Sequence, residues 1–304
     1  MKRTSVGLAL SALLVTAAVP AAGQVEIRER HPVAADGTIT VKAISHDIQV
    51  RVWDENEVEV TGSYDPEWEE LVVEPRNGGF FLEIMGRQRR GSWSRRGSPR
   101  LEVSLPRGAQ LDLGTVSGDL TILEGVRGRL DARSVSGDVE AHLQGTRANV
   151  QSVSGDLTVR GRAIEARLSS VSGDVDAAVD AEVVEAKAVS GDVRVQSSLA
   201  SRSVTLDAVS GNVEFTGALT EGGRLRANSH SGRVTLTLPS DTQATFELST
   251  FSGRIQADFP QRRGEYRSSG RGPGERLSFT TGSGNAQVEA RSFSGGIRIN
   301  GGGG

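Results

Sequence analysis

An apolar residue, then Ser-Gly-Asp, then another apolar residue recurs through this chain at a nearly fixed interval, and no other feature limits the fold so sharply. The phrase stands at Val116-Ser117-Gly118-Asp119-Leu120 and again at Val135 to Val139, Val153 to Leu157, Val171 to Val175 and Val189 to Val193. Looser copies follow around Gly211, Gly232, Gly253 and Gly295. Successive glycines at 118, 137, 155, 173, 191, 211, 232 and 253 lie 18 to 21 residues apart. A period of this length belongs to a solenoid, in which each repeat is a rung that can bury its apolar face only against its neighbours.

The residues between the corners alternate. Before the serine, apolar side chains fall six, four and one residues back, as in Leu130, Ala132 and Val135 or Val204, Leu206 and Val209. After the glycine they fall on every second residue, as in Val193 and Val195 or Val213 and Phe215. Period-two alternation is the pattern of a half-buried strand. The step of three just before the serine breaks that parity. It predicts two or three short faces per rung, with the apolar residue before each serine belonging to the core; His230, in that position, then reads as a core substitution. The expected fold is therefore all-β, a parallel, β-helix-like solenoid with rungs of about 18–21 residues. Ten or so rungs at ~4.8 Å give a rod of about 45–50 Å.

Composition fits a stacked aliphatic core. Among 304 residues there are 8 Phe, 3 Trp and 2 Tyr, and no cysteine to supply disulfides. The formal charge is −3, and removal of Lys2 and Arg3 would leave 33 basic against 38 acidic residues, which argues against nucleic acid as a partner. Met1 to Gly23 has the form of a secretory signal: Lys2 and Arg3, an apolar run from Val6 to Val19, and Ala21-Ala22-Gly23 at the cleavage position. After cleavage no transmembrane segment is expected, and the location would be the periplasm or the cell surface.

Four parts are expected: the leader at 1–23, an N-terminal β region at 24–105, the regular solenoid at 106–300, and a disordered glycine tail at 301–304. Within the second part, Ile39 to Val52 keeps the phase of the repeat, with His46 in the place of glycine. A basic segment, 85–100, interrupts the strands and carries Arg87, Arg89, Arg90, Trp93, Arg95 and Arg96. It reads either as a loop that touches an anionic partner or as a solvated insertion. Gln261 to Glu275, with Arg262, Arg263, Arg267 and Arg271, reads as a second surface loop.

The glycines of the repeat, Gly118, Gly137, Gly155, Gly173, Gly191, Gly211, Gly232, Gly253 and Gly295, are expected to supply a positive φ at each corner. Serine and aspartate can bond the free amides of the turn. Asp119, Asp138, Asp156, Asp174 and Asp192 would stack at rung spacing, where a cation such as calcium could relieve their repulsion. The column then passes to Asn212, Arg233 and Arg254, so a metal is not a general requirement of the rung. No cofactor is implied. The four histidines are scattered, and no metal-spaced pair, nucleophile elbow or phosphate loop is present, so no catalytic residue is assigned. Length variation concentrates opposite the Ser-Gly-Asp corner, which makes that edge the expected binding edge. The outward columns show no threonine ladder and no aromatic row for stacking sugars.

The Val-Ser-Gly-Asp-Val series, the early Ile44-Ser45-His46-Asp47-Ile48 rung, Leu105-Pro106-Arg107-Gly108 and the closing Gly282 to Ile299 segment resemble the bacterial putative-adhesin family, a domain of unknown function built as a β-solenoid. The resemblance runs from about Gln24 to Asn300. It implies an exported, non-enzymatic, adhesin-like protein of the cell envelope. The expected partner of such a binding module is an unidentified envelope protein, glycan or anionic surface. Two other readings stay open, a self-assembling envelope scaffold and a glycan-acting β-helix enzyme.

Overall fold

The structure, a computed structural model, describes residues 23–87, 99–259, 262–268 and 274–302. It is an all-β solenoid. The strands Val139–Ser154, Leu157–Ser172 and Val175–Ser190 show the unit most plainly. Each starts after one Ser-Gly-Asp corner, rounds the opposite edge and ends at the next corner. First halves pair in parallel with first halves and second halves with second halves, as in Val139↔Leu157↔Val175 and Ala148↔Ala166↔Val184. Two parallel ladders result, so each rung has two faces. Leu130, Ala148, Ala166 and Val184 stack in one ladder, and Val139, Leu157, Val175 and Val193 in the other, all at most 3% exposed. Identical spacing lets small aliphatic side chains fill the interior without large rings.

The parity expected to break before each serine does not break. Leu130, Ala132 and Ser134 are buried, while Arg133 and Val135 face solvent. The inward residue next to the corner is small and often hydroxylated: Thr115, Ser134, Ser152, Ser170, Ala188, Ala208 and Ser229. Most of these hydroxyls are buried without penalty because they bond a carbonyl of the neighbouring rung. Ser170 Oγ donates to Gly155 O at 3.2 Å and Ser229 Oγ to Gly211 O at 2.8 Å. The residue before the serine is thus outward. Val116, Val135, Val153, Val171, Val189 and Val209 are 43–49% exposed, and His230 is exposed too, not a core substitution.

Both ends of the stack are built out of sequence order. At the start, Thr38–Ala43 lies between Gly79–Gly86 and Gln110–Thr115. Its companion Asp47–Trp53 lies between Arg100–Pro106 and Leu120–Val126. Glu69–Arg76 then covers Gly79–Gly86, and Glu57–Tyr64 covers Arg100–Pro106, both antiparallel. Val25–Pro32 pairs antiparallel outside Glu57–Tyr64. At the far end, Ala286–Ser292 slots between Leu219–Ser231 and Ala244–Thr250, and Ile297–Gly302 between Val234–Pro239 and Ile255–Asp258. Glu275–Thr281 and Arg262–Ser268 add two antiparallel strands beyond Ala244–Thr250. The outermost strands, such as VEIRERHP and EELVVEPR, carry charges and proline, which blunts a sheet edge.

Two expectations change here. Arg262–Ser268 is an edge strand, not a loop, because it has Glu275–Thr281 to pair with. Gly301 and Gly302 extend the last strand opposite Leu238 and Pro239; residues 303–304 lie outside the described residues. Ser283-Gly284-Asn285 forms a turn between two strands, with Gly282 and Gly284 at φ of 54° and 72°.

Candidate functional site

The corner glycines are required by close approach, not by a left-handed backbone. Gly191 alone among them has a positive φ, and its 158° is close to fully extended. A Cβ built on Gly137 would lie 2.0 Å from Gly118 O, one on Gly173 would lie 2.2 Å from Gly155 O, and one on Gly232 would lie 1.9 Å from Gly211 O. The column continues to Gly295 and then Gly253, following the spatial rather than the sequence order. The left-handed glycines sit on the opposite edge instead, at Gly145 (79°), Gly161 (107°) and Gly222 (72°). His46 can end the glycine column because the next rung outward has no Ser-Gly-Asp corner. Its ring is buried toward the N-terminal cap, where Nε2 donates to Ser63 O at 3.0 Å and Nδ1 lies 4.0 Å from Glu69 Oε1.

The aspartate column is a hydrogen-bonded ladder. The amide of Asp138 donates to Asp119 Oδ1 at 2.9 Å, and the amides of Asp156, Asp174 and Asp192 each donate to the preceding aspartate at 2.8 Å. Asp47 begins the series and Asn212, which accepts from the Arg233 amide at 3.0 Å, ends it. An asparagine serves because one acceptor oxygen per rung is enough. Arginine offers no acceptor, so the ladder stops at Arg233. Arg194 adds ion pairs to Asp192 and, at 3.6 Å, to Asp174. Among the described residues no group of three or more His, Asp or Glu could hold a metal ion.

Of the basic segment, Arg89, Arg90, Trp93, Arg95 and Arg96 lie outside the described residues. Arg87 is described, and it ties down the cap: Nη1 donates to Pro66 O at 2.9 Å and its amide to Trp68 O at 2.7 Å. On the edge opposite the corners there is a shallow cleft of about 410 Å³ beside Arg162, Asp180 and Ser198. Asp180 Oδ1 is engaged there by the amides of Ser198 and Leu199.

A more prominent feature lies at the Ser-Gly-Asp edge itself. The outward valines form one continuous row, which passes from Val209 to His230, Phe293 and Phe251. His230 stacks on Phe293 with centroids 4.8 Å apart, and Phe293 on Phe251 at 4.7 Å. Both phenylalanines are about as exposed as the valines, at 44–45%. Beside this row runs an open trough of about 1090 Å³, from Ser152 to Phe251. Its other side is polar, with Lys187, Asp207, Asn228 and Arg291, and Arg276 stands at its far end. Sequence reasoning missed this row and its aromatic stack because it took apolar to mean inward. The signal was available: Ser, Thr or Ala two residues before every serine preserves the alternation.

A family model described as Toastrack DUF4097 matches residues 37–300. Among solved structures, the chain is similar to a putative adhesin from Bacteroides fragilis, at 14% identity and a TM-score of 0.49, over 90% of this chain and 96% of that one. It is similar to a putative lipid binding protein from Parabacteroides distasonis at 14% identity and a TM-score of 0.40, over 90% and 96% of the two chains. It is also similar to a putative cell adhesion protein from Clostridium sporogenes at 13% identity and a TM-score of 0.24, over 90% and 99%. No curated protein matches the chain.

Proposed function

The chain belongs to the Toastrack DUF4097 family, and on that premise we propose that it is an exported, non-enzymatic binding module of the bacterial envelope, adhesin-like in action, whose contact surface is the apolar row at the Ser-Gly-Asp edge. The row carries the reading. Soluble proteins leave single hydrophobic side chains exposed, but a contiguous exposed strip marks an interaction surface. Here eight large hydrophobic side chains, each 43–49% exposed, follow one line along the rod. The ladders of glycine and aspartate behind them hold that line rigid, so binding sacrifices little conformational entropy.

Capping supports this reading over an end-to-end scaffold. Antiparallel strands with charged outer edges cover both ladders at the N-terminal end and one of the two at the far end, where a polymer would need open parallel rungs. One oxygen of each repeat aspartate is engaged by a main-chain amide, which favours a structural role for these carboxylates over glycan chemistry. Export follows from the leader-like sequence of Met1 to Gly23. Among the described residues there is no helix long and apolar enough to cross a membrane.

Co-sedimentation with isolated bacterial envelope tests the proposal. Wild-type protein should pellet with the envelope, and Val171→Asp should stay in the supernatant while its circular dichroism remains that of the wild type. Equal pelleting of the two would reject the row as the contact surface.

A further inference from the structure

We propose that the apolar row binds a second copy of this chain, with the two rods lying antiparallel. This rests on the reading of the row as a contact surface and names its partner. Three properties of the row point to self-recognition.

The first is size. In spatial order the row runs Val116, Val135, Val153, Val171, Val189, Val209, and then His230, Phe293 and Phe251. Its centre is Val189. Turning one copy end for end about that point sets Phe251 against Val116, Phe293 against Val135 and His230 against Val153. Each bulky ring meets a small side chain, so the gap between the rods stays even. A parallel pair would set ring against ring at one end and valine against valine at the other.

The second is charge. The residues two places beyond the serine flank the row, acidic through Asp192 and basic at Arg233 and Arg254. Neither arginine has an ion-pair partner among the described residues, and neither do Asp119 and Asp156, whose carboxylates accept from main-chain amides. The same end-for-end turn brings Asp119 opposite Arg254 and Asp156 opposite Arg233. Each pairing occurs twice by symmetry. Asp192 falls on the axis against its own copy, and Arg194 already neutralises it.

The third is extent. Nine rungs at ~4.8 Å make a strip close to 40 Å long, and a width of roughly 20 Å gives about 800 Å² per partner, the size of a standard specific interface. A two-fold contact of this kind closes on itself, so it yields a dimer and not a fibre.

Sedimentation velocity of the purified protein over a wide concentration range is the test, joined to thiol crosslinking, which the absence of native cysteine makes clean. The wild type should sediment as a dimer and Val171→Asp as a monomer. With a short bis-maleimide, Val189→Cys should crosslink to itself. Val116→Cys alone should not, but mixed with Phe251→Cys it should. Arg254→Asp should weaken dimerisation about tenfold, and adding Asp119→Arg should restore it. A wild-type monomer at every concentration overturns the proposal. If Val171→Asp still fails to pellet with envelope in that case, the row remains a contact surface for another partner; if it pellets normally, both readings fall. Crosslinking of Val116→Cys alone, or oligomers that grow without limit, would also overturn the antiparallel dimer.

Discussion

The amide of Asp174 donates to Asp156 Oδ1 at 2.8 Å, so a residue that looks like half of a metal site in the sequence is a main-chain fastener in the structure. One carboxylate oxygen per rung meets an amide that the corner would otherwise leave to solvent. A hydrogen bond to a charged acceptor contributes about 1.5–3 kcal/mol. Asp156→Ala should therefore lower stability by roughly 1–2 kcal/mol, the exposed amide recovering part of the loss from water. Asp156→Asn should be close to neutral, as Asn212 already shows the exchange to be workable. Thermal melts of the two variants check this, and added calcium should shift neither melt nor that of the wild type.

The glycine column predicts a different sensitivity. Gly173→Ala would place a methyl group 2.2 Å from a backbone carbonyl that two ladders hold in position. The rungs must separate locally, and the destabilisation should reach at least ~2–3 kcal/mol, the upper part of the overpacking range. Gly145→Ala on the opposite edge would meet nothing within 4 Å, and its penalty should come from its φ of 79° alone, about 1–2 kcal/mol. Urea midpoints should rank Gly173→Ala below Gly145→Ala, and the opposite order would refute the close-approach account.

His46 should matter locally. Replacing it by the glycine of the other rungs leaves a cavity beneath the N-terminal cap and takes the ring's bond from Ser63 O. The loss should be about 2–4 kcal/mol. Hydrogen exchange should show it confined to Glu57–Tyr64 and Glu69–Arg76, with Val139–Ser190 still protected.

Acid sensitivity has an identifiable small contributor. A bond from Lys187 at 2.5 Å holds the Glu185 carboxyl below its ordinary value of 4.5, against the opposing pull of partial burial, with Arg167 assisting. A carboxyl whose folded pKa is depressed adds stability above its unfolded value and loses that stability as pH falls through the folded value. The pair is a third or more exposed, so screening limits its worth to below about 1 kcal/mol. Lys187→Met should lower the urea midpoint slightly at neutral pH and merge with the wild type once Glu185 is protonated.

The architecture was legible from the repeat. Its period set the rung, and the alternation set the strands. The insertion of Ala286–Ser292 between two earlier strands was not legible, because register between distant rungs depends on which edge is left open and not on local pattern. The corner chemistry was legible in residue types but not in cause: glycine at 137 was read as a conformational need, when the neighbour's carbonyl excludes any side chain. The row itself was visible as Val116 to Phe293 but placed on the wrong side. Apolar character suggests burial, whereas the strand's phase, kept by Ser152 and Ser170, puts Val153 and Val171 outside.

Hydroxyl-radical footprinting of Phe251 and Phe293 tests the functional claim most directly, since both rings report from the row without mutation. With dilute protein alone both should label readily, and with isolated envelope or concentrated protein both should be protected, while Phe81 on Gly79–Gly86 labels equally throughout. Undiminished labelling of Phe251 and Phe293 when the protein is bound to envelope would contradict the account.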